Sequence, residues 1–313
     1  MLHYIKIFNF VVYILKYRGN IEVFGMNIDY EKVKVLFNKI DNGYSVSEIK
    51  NIGRSWLSRD IKCSVIGHGQ KNVLVVGGIG GKDIKIASFL IDFSHELDDS
   101  AYSNSRISDF NISALCSKSK IHIVPMLNPD GVILNNCGIS QENPFYGRVK
   151  SMMKGKSDVS EWDANIRGVS LYGNFRSEWL ILKLTERSNR IFMNSPSGYF
   201  GEYPESELET SSLCSFSKRG DFHIVFELRR SEHFFIKPIE VDESRNKTKA
   251  VTRVINEYTN IKISDENLCV NGTFALWTAT EFQSLSFIIG VPDNMTPENC
   301  KALKNAVLLA SAV

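Results

Sequence analysis

Apolar positions along the chain follow two periods, short β-type runs and longer stretches repeating every 3.6 residues, and their alternation outlines the elements. Behind Asp29, a residue suited to capping, Tyr30, Val33, Phe37 and Ile40 keep the helical period and predict a first helix packed on the domain. Residues 63–66 and 73–76 are β-type runs with Gly67, Gly69 and Asn72 between them, which predicts a turn joining neighbouring strands. A helix over about 83–97 follows, with Ile84, Ile86, Phe89, Leu90 and Phe93 on a broad apolar face.

Residues 120–125 (KIHIVP) predict another strand, ended by Pro125 and the turn-forming run Asn128, Pro129, Asp130, Gly131. A long polar stretch then continues to about Pro204, a length that predicts functional surface loops. Ser206 and Glu209 have capping-box spacing and open a helix. Residues 222–228 predict a strand, 247–258 a helix and 285–289 a short buried strand. The last helix starts at Thr296 with Pro297 in its first turn, and carries Leu303, Val307 and Ala310 as an apolar stripe. Alternation of this kind predicts an α/β domain with a mostly parallel or mixed sheet covered by helices on both faces. No internal repeat, low-complexity tract or linker interrupts it.

The chain has 313 residues, 43% of them hydrophobic, enough for one substantial core. Lysine plus arginine number 37 against 35 acidic residues, a balance giving no general pull toward nucleic acid or anionic membrane. The six cysteines are scattered without any Cys-x-x-Cys pair, which suits buried thiols in a reducing compartment, although an even count in a secreted protein could pair. Residues 5–15 (IKIFNFVVYIL), flanked by Lys6, Lys16 and Arg18, resemble a short signal-like core without a small-x-small cleavage site, and are too short to span a bilayer. Residues 1–25 are thus an extension ahead of an internal start at Met26, a membrane-associated segment or a buried strand. A start at Met26 implies a cytoplasmic protein with one domain over 26–313, and a real 1–25 segment permits peripheral membrane attachment; no transmembrane helix is expected.

The glycine cluster from Gly77 to Gly81, between a strand and a helix, raises a phosphate-cradling loop. A Walker loop needs glycine at Val76 and Ser or Thr at Asp83, and the dinucleotide fingerprint needs Gly or Ala at Asp83, so both fail.

Gly53-Arg54-Ser55, Arg59-Asp60, KNVLVVGGIGGKD, IHIVPMLNPDGV, WDANIRGVSLYGNF and GEYPESELET stand in an order that resembles the zinc carboxypeptidases. The resemblance covers about residues 29–310 and leans toward their bacterial branch that cleaves γ-D-glutamyl-diamino-acid bonds in cell-wall peptides. It implies a mixed central sheet of about eight strands flanked by helices. It also implies a zinc site, and there the chain departs from the pattern. The family's His-x-x-Glu ligands fall on Gly80 and Asp83, and its later His ligand on Leu228, in the segment Leu228-Arg229. Its substrate-gripping Asn-Arg pair falls on Tyr172 and Gly173, without the guanidinium that bidentate carboxylate recognition needs. Its general-base glutamate falls on Ile288, which cannot relay a proton.

Gly80, Asp83, Leu228 and Ile288 are expected to line one cleft at the strand ends. Arg229 and Arg230 either enter it and pair with Asp83, or are solvated residues at a strand end. His223 and His233 flank the relevant strand and are the candidates for a relocated zinc site. The expectation is a non-catalytic carboxypeptidase-like protein, without zinc, that holds a peptide or protein ligand in its former cleft. The alternative is a metallocarboxypeptidase or cell-wall peptide hydrolase with an unconventional zinc site.

Overall fold

The computed structural model describes residues 45–155, 158–188, 191, 193–264 and 268–312. The helix expected over 29–40 and the apolar run 5–15 lie outside the described residues. An eight-stranded sheet has the order β1-β2-β6-β3-β7-β10-β8-β9. Its strands are β1 (Glu48–Arg54), β2 (Asp60–Ile66), β3 (Lys71–Val76), β6 (Ser119–Val124), β7 (Phe222–Arg230), β8 (Phe235–Pro238), β9 (Lys262–Ile263) and β10 (Leu285–Val291). A small hairpin pairs β4 (Arg106–Ile107) with β5 (Phe110–Asn111). The inner strands β6, β3, β7 and β10 run parallel. Antiparallel pairing joins β1 to β2, β2 to β6 and β10 to β8, so the sheet is mixed.

The four β-type runs at 73–76, 121–124, 222–228 and 285–289 all lie in this sheet. The turn after residue 66 does not join neighbours, however: β6 is inserted between β2 and β3. Local pattern fixes a strand but not the strand that will pair with it, because pairing is decided by register and burial across the whole sheet.

One face packs Val73, Val75, Ile121, Ile123, Phe226, Leu228 and Ile289 against helices Ile84–Tyr102, Arg245–Thr259 and Pro297–Ala312. The other buries Leu74, Val76, Val124 and Val225 against Leu171, Phe175, Leu213, Phe274 and Trp277. The stretch 129–204 is far from a featureless surface loop. It contains helices Pro129–Cys137, Tyr146–Met152 and Trp179–Ser188 and buries Trp162, Asn165, Leu171 and Phe175 completely. The Asn-Pro-Asp-Gly run opens the first of these instead of forming a free turn, since the Asn128 side chain accepts from Gly131 N at 2.9 Å and Pro129 occupies the first turn. The capping box also fails. Helix Leu208–Gly220 begins after Glu207 without a side-chain cap, and Ser206 Oγ donates instead to Glu207 Oε1. No helix among the described residues is long and apolar enough to cross a membrane.

Candidate functional site

The carboxyl ends of β3, β7 and β10 meet the loops 77–83, 158–173 and 292–295, the place where open α/β sheets carry their sites. After β3 the chain turns through Gly78 at φ +60, where a side chain would strike Met126 and the Pro125 carbonyl. Asn128, fully buried, donates to the carbonyls of Ile79 at 3.0 Å and Ala164 at 3.3 Å, tying two loops to the strand end. Asp83 folds back over the same loop. Its Oδ2 accepts from Ile79 N at 3.0 Å, Gly80 N at 2.7 Å and the Tyr172 hydroxyl at 2.5 Å, while its buried Oδ1 has no partner. Burial, and next the neighbouring Asp163 carboxylate, raise the Asp83 carboxyl above the ordinary carboxylate range.

Arg229 stands across from this loop. Its Nη2 donates to Glu227 Oε1 at 2.7 Å and its guanidinium stacks over the Tyr172 ring at 4.7 Å from the centroid. Only 13% of its side chain is exposed. Burial alone would weaken its charge, but Glu227 and Tyr172 together with Asp83 outweigh that and hold the guanidinium firmly ionised. The other Glu227 oxygen accepts from Ala275 N at 2.9 Å, at the start of helix Phe274–Phe282. Arg230, half-exposed at the end of β7, pairs with Asp293 at 2.7 Å, tying the strand end to a loop, and Lys82 pairs with Glu161 at 2.5 Å, joining two loops.

Gly80 and Asp83 lie together, both buried, in the loop after β3, and Leu228 does not join them. Parallel register pairs Ile288 with Glu227 and Ile289 with Leu228, so Leu228 and Ile288 point to opposite faces of the sheet. Leu228 is buried among the helices of the first face, whereas Ile288 packs with Ile239, Ala275, Leu276 and Ala279 under helix Phe274–Phe282. The side chain at the end of β7 that shares the Glu227 face is Arg229, one residue on. A one-residue slip in reading a strand inverts every side chain. The direct Asp83–Arg229 pair is replaced by a relay through Tyr172, and Arg229 is not a solvated end residue. Gly173 is packed against Phe200 and Leu182, with no room for a side chain.

His223 lies exposed near the start of β7, far along the strand from Arg229, where its Nδ1 accepts from Asn72 N at 3.3 Å. His233 is exposed after the strand. Among the described residues no three His, Cys, Asp or Glu side chains converge as a metal site. Zinc does not fit the residues present. Asp83 Oδ2 is saturated, and a Cβ on Gly80 would collide with Asp163 Oδ1 and approach Tyr172 Cε2 to 3.1 Å, so the space for an imidazole there is filled. Asp163 and Glu227 were missed from the sequence. Asp163 lies inside a quoted motif and Glu227 inside a predicted strand, but only their neighbours in space show what they do.

A second buried polar cluster braces the loop 163–169. Asn165 Nδ2 donates to Glu207 Oε2 at 2.7 Å and only weakly, at 3.4 Å, to Glu209 Oε2. Glu209 is wholly buried with Oε1 unpartnered, and burial, with Asp130 and Glu207 nearby, pushes it up to about 8. Arg59 pairs with Asp130 at 2.6 Å, and Arg167 stacks on Trp56 at 4.4 Å.

Residues 36–280 match the family described as zinc carboxypeptidase. The chain is 22% identical over 231 residues to γ-D-glutamyl-L-diamino acid endopeptidase 1 of Lysinibacillus sphaericus, covering 73% of this chain and 57% of that protein. It is 29% identical over 187 residues to the uncharacterized protein YqgT of Bacillus subtilis (strain 168), covering 59% of this chain and 49% of that protein. The chain thus spans about half the length of these relatives. Carboxypeptidase A from Helicoverpa armigera superposes with a TM-score of 0.61 at 14% identity, over 93% of this chain and 75% of that one. At that identity the likeness is one of fold.

Proposed function

The chain belongs to the zinc carboxypeptidase family, and on that premise we propose that it is a non-catalytic member, acting by binding or architecture and not by hydrolysis. What supports this reading is that Asp163 and Tyr172 occupy the space beside Gly80, the expected first-ligand position, and that Arg229 ends β7 on the Glu227 face. The one-residue shift from Leu228 to Arg229 makes the loss no smaller, since a permanently charged guanidinium cannot ligate zinc. Ile288 at the general-base position removes proton transfer separately, an effect typically worth about a hundred- to ten-thousand-fold in rate.

A peptide or protein partner held at the strand ends would be released unchanged. The ion pairs Lys82–Glu161 and Arg230–Asp293 lie at the mouth, so such a ligand would meet charged side chains first. The test is metal analysis by plasma emission together with an assay against γ-D-glutamyl-diaminopimelate peptides and simple C-terminal peptides. No stoichiometric zinc and no turnover in the presence of added zinc are expected. One tightly held zinc per chain with chelator-sensitive turnover would overturn the proposal in favour of an unconventional hydrolase site.

A further inference from the structure

Beside the buried polar cluster that braces the loop 163–169 lies a small open cleft of ≈ 60 Å³, whose walls include Arg167, Asn194, Tyr199, Tyr203, Ser206 and Glu207. It has room for roughly four to six waters or for one small polar head group. We propose that this cleft binds the zwitterionic head of an α-amino acid, the ammonium and the carboxylate carried on one carbon. The proposal stands whether or not the strand-end cleft hydrolyses anything.

Glu207 forms the floor and is only 1% exposed. Its Oε2 accepts from Trp56 Nε1 at 3.0 Å and from Asn165 Nδ2 at 2.7 Å, whereas Oε1 accepts, among the described residues, from Ser206 Oγ alone at 2.9 Å. The first of these bonds fixes the Trp56 indole, and the Arg167 guanidinium stacks on that ring. Arg167 Nη1 stands 3.6 Å from Glu207 Oε1, which is ion-pair contact beyond hydrogen-bond length, and the guanidinium makes no hydrogen bond among the described residues. A cation and an anion thus stand side by side at the cleft, each fixed from behind and each with bonding capacity left over.

Glu202, exposed at the rim, and Lys183, whose Nζ donates to Gly201 O at 2.9 Å and lies over the Tyr199 ring, add one charge of each sign. A lone anion would therefore meet Glu207 and Glu202, and a lone cation Arg167 and Lys183. A head group bearing both charges can set its carboxylate on the planar guanidinium fork and its ammonium on Glu207 Oε1, matching the pair in one step. Stacking on Trp56 holds the fork in place beforehand, so little side-chain freedom is lost on binding.

The test is equilibrium dialysis of the full chain against glycine, acetate and methylamine, with Arg167→Lys and Tyr203→Ala beside the wild type and circular dichroism to confirm folding. One glycine bound per chain is expected, roughly ten- to a hundred-fold more tightly than acetate or methylamine, because each of these lacks one charge-assisted hydrogen bond. Arg167→Lys keeps the charge but loses the fork and the stack, and should weaken glycine about tenfold. Tyr203→Ala opens one wall through a side chain that is 59% exposed, so it should fold as the wild type does and hold glycine less tightly. Absence of saturable glycine binding would overturn the proposal, and so would equal affinity for acetate or methylamine, which would make the cleft a plain anion or cation site. Glycine binding unchanged in both variants would put the amino acid elsewhere and overturn it as well. If Arg167→Lys does not fold, Tyr203→Ala and the three wild-type titrations decide the matter. Peptide turnover by the wild type would sink the non-catalytic proposal and leave this one untouched.

Discussion

Gly80→Ala tests whether the space beside Gly80 is filled. Gly80 does not have a positive φ, so alanine meets no backbone strain, and the narrower unfolded ensemble would by itself stabilise by about 0.4–1 kcal/mol. Against this, the new methyl collides with Asp163 Oδ1 and touches Tyr172 Cε2 at 3.1 Å. Asp163 is not free to swing away, because it accepts from Lys82 N at 3.2 Å. Overpacking of this kind costs about 1–3 kcal/mol, and the loosened hydrogen bond about 1 kcal/mol more. The net expectation is a loss of about 1–3 kcal/mol, read from urea unfolding followed by tryptophan fluorescence. In an Asp163→Ala background the methyl finds room, and the same substitution should be close to neutral. A Gly80→Ala protein within about 0.5 kcal/mol of wild type would refute the filled-space argument. An equal loss in both backgrounds would refute the assignment of the clash to Asp163.

Two further outcomes follow from the buried polar groups. Glu209, raised from 4.5 to about 8 by burial first, binds its proton more tightly folded than unfolded; its contribution is therefore complete below about pH 4.5 and lost as pH rises through about 8, on the order of 5 kcal/mol in all. Glu209→Gln should flatten urea-derived stability between pH 5 and 9, and an unchanged slope would show that another group titrates. Asn128→Ala removes the acceptor for Gly131 N and strands the carbonyls of Ile79 and Ala164, for an expected loss of about 2–4 kcal/mol. A loss under about 1 kcal/mol in the same unfolding assay would mean that water replaces all three bonds.

The strands that position the site were legible because a buried parallel strand carries a continuous apolar run, as at 73–76 and 224–226, whatever lies beside it. The absence of an imidazole at Gly80 was equally legible, since a missing side chain needs no coordinates. Strand order was not: the insertion of β6 between β2 and β3 depends on contacts far apart in sequence. Nor was the face of the sheet on which the end of β7 presents its side chains. With a period of two, Leu228 and Arg229 differ by one residue in the sequence and by the whole thickness of the sheet in space, and only the register with β10 decides between them. The same holds for the buried polar network at the ends of β3 and β7. Each of Asp83, Asp163, Tyr172, Glu227 and Arg229 is an ordinary residue in its own segment. Their electrostatic meaning comes from burial at one point, which lowers the local dielectric and makes each charge depend on the others. The sequence by itself determined the frame and the residue types, and the tertiary structure decided which of them meet.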